Sequence, residues 1–185
     1  MADDDDSFGS LIDKIHASPL ASHATEIGFL CIFWSRLELE TSLLLFQLMQ
    51  PVGDYEATIT ITNMDFREKI AAILALGFHK RPDDAWFASL KQKLNDVDND
   101  LRPARNRFVH DHWLQVGDEV IKFTMKTGVY YEQARTLALK LYEIQTLSPA
   151  KILILSIKVL SASGALMSLR QQLPPLPDTP SRPLP

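Results

Sequence analysis

Apolar side chains recur every three or four positions along most of this chain, the spacing that gathers them on one face of a helix. The longest such stretch covers residues 22–49. There Ile27, Leu30, Trp34, Leu37, Leu44, Leu45 and Leu48 crowd one side, with Thr41 as the one polar interruption. Pro51 and Gly53 then stop the helix. Shorter helices are expected over residues 9–17, ended near Pro19, and over residues 63–76. Another starts near Pro82, with Asp83 and Asp84 in a first turn where the helix dipole favours anions, and carries Trp86, Phe87, Leu90 and Leu94 toward Asp100. Residues 102–113 continue as helix, bent at Pro103.

The period changes after that. Val120, Lys122, Thr124 and Lys126 alternate with Ile121, Phe123 and Met125, as strand residues do, and Gly117 and Gly128 punctuate the run. Residues 140–146 alternate more loosely, so a small hairpin is expected. The last helix opens at Ser148, with Pro149 in its favoured first position. The pattern predicts a predominantly all-α fold: an up-and-down bundle of four to five helices, with a small β-hairpin insertion before the last helix.

The 185 residues suit one domain, expected over residues 7–173. Residues 1–6 form an acidic run and residues 174–185 a proline-rich tail, and both are expected to be disordered. Apolar residues make up 46% and charged ones 23%, a balance that excludes a wholly disordered chain. A single cysteine, Cys31, excludes an intramolecular disulfide and fits a reducing compartment, hence a cytoplasmic location. The acidic start lacks the basic and apolar regions of a secretory signal. Residues 152–169 are nearly apolar, but they hold Lys158 and four serines. Leu155, Val159, Ala162, Leu166 and Leu169 recur there at helical spacing, so a buried helix is expected rather than a membrane span.

Candidate chemistry narrows quickly. Asp96, Asp98 and Asp100 imitate the opening of a calcium loop, but the sixth position is Leu101 instead of glycine and the twelfth is Arg107 instead of glutamate. His110 and His112, two apart on a helix, would point about 200° from one another and could not share a metal ion. No metal site and no cofactor motif is expected. The net charge of −4 gives no global field attracting nucleic acid, so phosphate binding would need a local patch. Arg102, Arg105 and Arg107, beside His110 and His112, supply one.

On a helix Asn106 and His110 are neighbours, whereas Arg105 lies about 140° from His110. One helix is therefore not expected to assemble both groups comfortably, but two facing copies would. Arg105 and Asn106, followed by His110, resemble the Arg–polar–(several residues)–His signature of the HEPN superfamily. The wording Arg105-Asn106-Arg107-Phe108-Val109-His110 is close to a form common in bacterial members. The resemblance covers most of residues 22–173, although only the short motif is specific.

Family resemblance implies a homodimer whose two motif helices meet at a cleft, acting as a metal-independent endoribonuclease in toxin–antitoxin, antiviral or RNA-processing roles. Arg105 would hold the scissile phosphate, His110 would move protons, and Asn106 would orient the site. RNA brings its own nucleophile, the 2′-hydroxyl, so RNA and not DNA is the implied substrate. Imidazole titrates near neutrality and a guanidinium pairs with phosphate oxygens, which suits that chemistry. Arg102, Arg107 and His112 are candidate substrate contacts and Glu38 a candidate orienting residue. An antitoxin or regulatory protein is a further implied partner. The alternative is a non-catalytic HEPN-like module that binds RNA, a nucleotide or a protein. In a third reading, a purely structural dimer, Arg105 pairs with Glu38 or Glu40.

Overall fold

The computed structural model describes residues 4–50, 54–80, 84–125, 130–131, 137–138 and 142–175. It is predominantly helical, with a small antiparallel sheet before the last helix, as the pattern implies. The chain divides into two compact units, residues 1–31 with 104–156 and residues 32–103 with 157–185.

The first unit contains α1 (Asp4–Ala17), the opening of α2 (Leu20–Met49), most of α6 (Arg102–His110), the sheet and the opening of α7 (Pro149–Gln171). Helix α1 starts upstream of the expected residue 9 and takes in Asp4–Asp6 of the acidic run. Residues 1–3 and 176–185, the remainder of that run and most of the proline-rich tail, lie outside the described residues. Strand β1 (His112–Val116) pairs with β2 (Glu119–Met125), and β2 pairs with β5 (Tyr142–Thr146), all antiparallel in the order β1-β2-β5. The expected hairpin between residues 120–126 and 140–146 is the β2–β5 pair, although residues 126, 140 and 141 lie outside the described chain. Two short strands, β3 (Tyr130–Tyr131) and β4 (Leu137–Ala138), pair with one another between them.

Strand β1 overturns part of the expected helix over residues 102–113. Helix α6 ends at His110, and Trp113 belongs to the sheet. The indole accounts for the break. Its Nε1 donates to the Phe108 carbonyl at 2.9 Å, while its ring stacks on Phe108 and lies 5.6 Å from His23. A helical Trp113 would forfeit these contacts and leave that carbonyl without its indole partner. Gly117, with φ +62°, occupies the first position of the two-residue turn from β1 to β2, where a left-handed backbone favours glycine. His23 is buried and ties the start of α2 to the entry of α7: Nε2 lies 2.8 Å from the Leu147 carbonyl oxygen and Nδ1 3.2 Å from that of Pro19.

The second unit is a helical bundle. It holds the rest of α2 and α7, with α3 (Asp54–Asn63), α4 (Phe66–Lys80) and α5 (Asp84–Asp96). Helix α3 has no counterpart among the expected helices, and α4 starts later than the expected residue 63. Asp65 Oδ1 accepts the Glu68 N–H and Glu68 Oε2 accepts the Asp65 N–H, a reciprocal capping box that fixes this start. Trp34, Leu37, Thr41, Leu44, Leu45 and Leu48 of α2 are buried, as are Trp86, Leu90 and Leu94 of α5. Val159, Leu166 and Leu169 of α7 are buried as well. The Trp86 indole donates to the Leu169 carbonyl and Arg170 to Glu40, joining α7 to α5 and α2.

Helix α5 passes into a π-helical turn, Val97–Leu101, in which the Arg102 N–H donates to the Val97 carbonyl five residues back. That turn lets the helix proceed through Pro103. Proline has no N–H to donate, and its ring clashes with the carbonyl four residues earlier in an ordinary α-turn. The wider π turn relieves both difficulties.

Helix α7 is long and apolar enough to cross a membrane. Ile152, Leu155, Val159, Leu166 and Leu169 are buried in the protein, whereas Leu153, Ile154 and Ile157 are exposed, so one face of the helix packs inward.

Candidate functional site

The first unit carries Arg105, Asn106 and His110 along α6. No residue of α6 is buried; Arg105 and Asn106 are half-buried and His110 is exposed. The helix places Asn106 one turn before His110, as expected. Arg105 departs from the expectation. Its Nη1 donates to Asn106 Oδ1 at 3.1 Å and lies 3.4 Å from His110 Nε2. The three groups therefore gather within one chain, and two copies are not required to bring Arg105 and His110 together. The arginine is long enough to curl around the roughly 140° that separates the two Cβ directions. In the tautomer with its proton on Nδ1, His110 accepts from the guanidinium through Nε2.

The last turn of α6 is closed by Asp111, whose N–H donates to the Arg107 carbonyl at 3.3 Å. Asp111 Oδ2 accepts from Lys122 Nζ of β2. The same ammonium lies 5.9 Å from the centre of the Phe108 ring. The sequence presents Lys122 only as a strand position. Nothing in the alternating pattern distinguishes a lysine that faces solvent from one that is buried, which Lys122 is.

The remaining candidates are scattered. Arg107 is exposed on α6, two positions after Arg105 and so on another side of the helix. His112 is exposed too, but it belongs to β1 and stacks on Phe123, its cross-strand neighbour, with ring centres 4.8 Å apart. Helical rotation therefore does not separate His110 from His112, since α6 has ended between them.

Arg102 and Glu38 belong to the second unit. Arg102 Nε donates to Asp98 Oδ1 at 2.7 Å, and Arg67 Nε donates to the same oxygen at 3.3 Å. Burial pushes the Asp98 carboxyl up, but the hydrogen bonds and charges of Arg102 and Arg67 outweigh it and hold it below the usual carboxylate range. Arg102, a candidate phosphate contact from the sequence, is thus ion-paired with Asp98 through its Nε. Glu38 Oε1 accepts from the Trp34 indole at 2.8 Å, and Glu40 pairs with Arg170 at 3.2 Å. Both acids offered as structural partners for Arg105 thus have partners in their own unit.

Among the described residues, no three His, Cys, Asp or Glu side chains cluster as a metal site would require. Two cavities, of about 770 and 460 Å³, open in the second unit, and neither is lined by the three motif residues. Comparison with protein-family models, with curated proteins and with solved structures gives no match for this chain.

Proposed function

We propose that this protein is a metal-independent endoribonuclease of the HEPN type, a cytoplasmic homodimer of the toxin or antiviral-defence kind. The observation that carries the proposal is the gathering of a guanidinium, an amide and an exposed imidazole on α6, with Arg105 Nη1 3.1 Å from Asn106 Oδ1 and 3.4 Å from His110 Nε2. This is the equipment for cleaving a phosphodiester that carries its own nucleophile.

In the proposed reaction His110 takes the proton from a ribose 2′-hydroxyl. The 2′-oxygen then bonds to phosphorus and the P–O5′ bond breaks. A 2′,3′-cyclic phosphate remains on one fragment, and the departing 5′-oxygen collects a proton. Arg105 binds the non-bridging oxygens as charge builds on them, and Asn106 orients the guanidinium. In a homodimer the second His110 is the natural proton donor for the leaving oxygen. DNA, lacking the 2′-hydroxyl, is not cleaved. An antitoxin or regulatory protein covering α6 would control the activity.

Support for a homodimer comes from α2. Ile32, Leu39 and Leu43 are 62%, 56% and 38% exposed, on a face apart from the buried one. Such a second apolar stripe is what an association surface requires.

The test is incubation of the purified protein with mixed cellular RNA in excess EDTA, beside Arg105→Ala and His110→Ala. Cleavage by the parent and by neither variant is the expected result. Equal cleavage by all three would place the activity elsewhere. RNA retention without cleavage would favour the non-catalytic binding module.

A further inference from the structure

We propose that Lys122, on β2, is the positioning residue for the Arg105–His110 pair; the inference rests on the reading of α6 as the site of RNA cleavage. The Lys122 side chain is 5% exposed and its partner Asp111 12% exposed, so both charges are largely withdrawn from water. A pair this buried adds little net stability over apolar side chains of similar size. Its physical effect is geometric, because a buried ammonium needs its partner at one place and orientation.

That place is the end of the motif helix. Asp111 directly follows His110, and its N–H closes the last turn of α6 on Arg107. Phe108, two residues before His110, lies beneath the same ammonium. Phe108 is also held by Trp113, which stacks on its ring and donates to its carbonyl. Lys122 thus binds the residue that follows His110 and lies over the ring of Phe108 two residues before it. His110 itself is exposed and has Arg105 within 3.4 Å. Lys122 thereby sets the rotation of the final turn, and with it the direction in which the imidazole meets the guanidinium. A cation at a helix C-terminus also complements the dipole there.

The experiment compares the full-length parent with Lys122→Met, which keeps the stem and removes the charge, and with Lys122→Arg, which keeps the charge. Circular dichroism establishes that each is folded. The direct readout is the ¹⁵N signals of the His110 ring, which report its tautomer and its contact with Arg105, with Arg105→Ala as the reference for a lost contact. In Lys122→Met these signals are expected to move toward the Arg105→Ala reference, and in Lys122→Arg to return toward the parent. Turnover of RNA is expected to fall about 10- to 100-fold in Lys122→Met, with KM within about twofold, as for a small misplacement of catalytic groups.

Parental His110 signals in a folded Lys122→Met would overturn the proposal, as would a rate loss that matches only the unfolded fraction. Should Lys122→Met fail to fold, Asp111→Asn takes its place, with the same displacement expected and parental signals counting against. If the parent cleaves no RNA, the endoribonuclease reading falls, while the His110 signals still decide the role of Lys122.

Discussion

Arg105 and His110 carry different parts of the proposed work, so their variants should fail differently. His110→Ala removes proton transfer, and turnover should drop about 10²- to 10⁴-fold while RNA binding survives. Arg105→Ala removes the phosphate contact and should weaken binding as well, which filter-binding and single-turnover kinetics would separate. Asp98 offers a test independent of function. Its folded-state pKa lies below the unfolded one, so its carboxylate stabilises the protein above the unfolded value of about 3.9. That contribution fades as pH falls through the folded value. Asp98→Asn should therefore be less stable than the parent near pH 7, with the difference vanishing in strong acid; urea unfolding across pH measures it.

Two glycines in helices make opposite predictions, because their surroundings differ. A methyl group on Gly77 of α4 would meet Leu90 at 3.1 Å, Trp86 at 3.4 Å and Phe87 at 3.5 Å, all on α5. Leu90 is fully buried and Trp86 nearly so, leaving them little room to yield. Overpacking of this kind costs about 1–3 kcal/mol and outweighs the roughly 0.5–1 kcal/mol that alanine gains over glycine in a helix. Gly28 of α2 has nothing within 4 Å of the added atom. Gly77→Ala should therefore lower the thermal midpoint and Gly28→Ala raise it. The capping box of α4 gives a third check. Asp65→Ala should cost about 1 kcal/mol, since it exposes an N–H that the carboxylate now satisfies.

The net charge of −4 bears on how the whole chain would meet RNA. Attraction must come from the local arginines against an unfavourable average field, so binding should weaken steeply with salt. Association of two copies would double the number of motif arginines. If the exposed stripe of α2 is the contact, Leu39→Glu should convert a dimer to a monomer in sedimentation without unfolding the chain. A parent that already sediments as a monomer would remove the dimer from the proposal, while the gathering of Arg105, Asn106 and His110 within one chain would stand.

Most helix positions, the sheet insertion and the apolar stripe of α2 are legible in the sequence, because burial imposes a 3.6-residue or two-residue period on the pattern itself. The capping box Asp65-x-x-Glu68 joins residues only three apart, yet the hydrophobic period starts that helix at residue 63 and passes over it. Other features depend on contacts between residues far apart in the chain. Residues 112 and 113 read as a continuation of α6 until β2 provides partners for them and Phe108 a place for the Trp113 ring. The pattern carries the helix on through Pro103, as found, but the π turn just before the proline leaves no mark in the hydrophobic period. Arg105 and His110 look too far apart around the helix, since period describes Cβ directions and not the reach of a long side chain. Lys122 is invisible as a site residue for the same kind of reason. Its significance lies in being buried against Asp111, and burial of a single charge in an alternating strand is decided only when the elements pack.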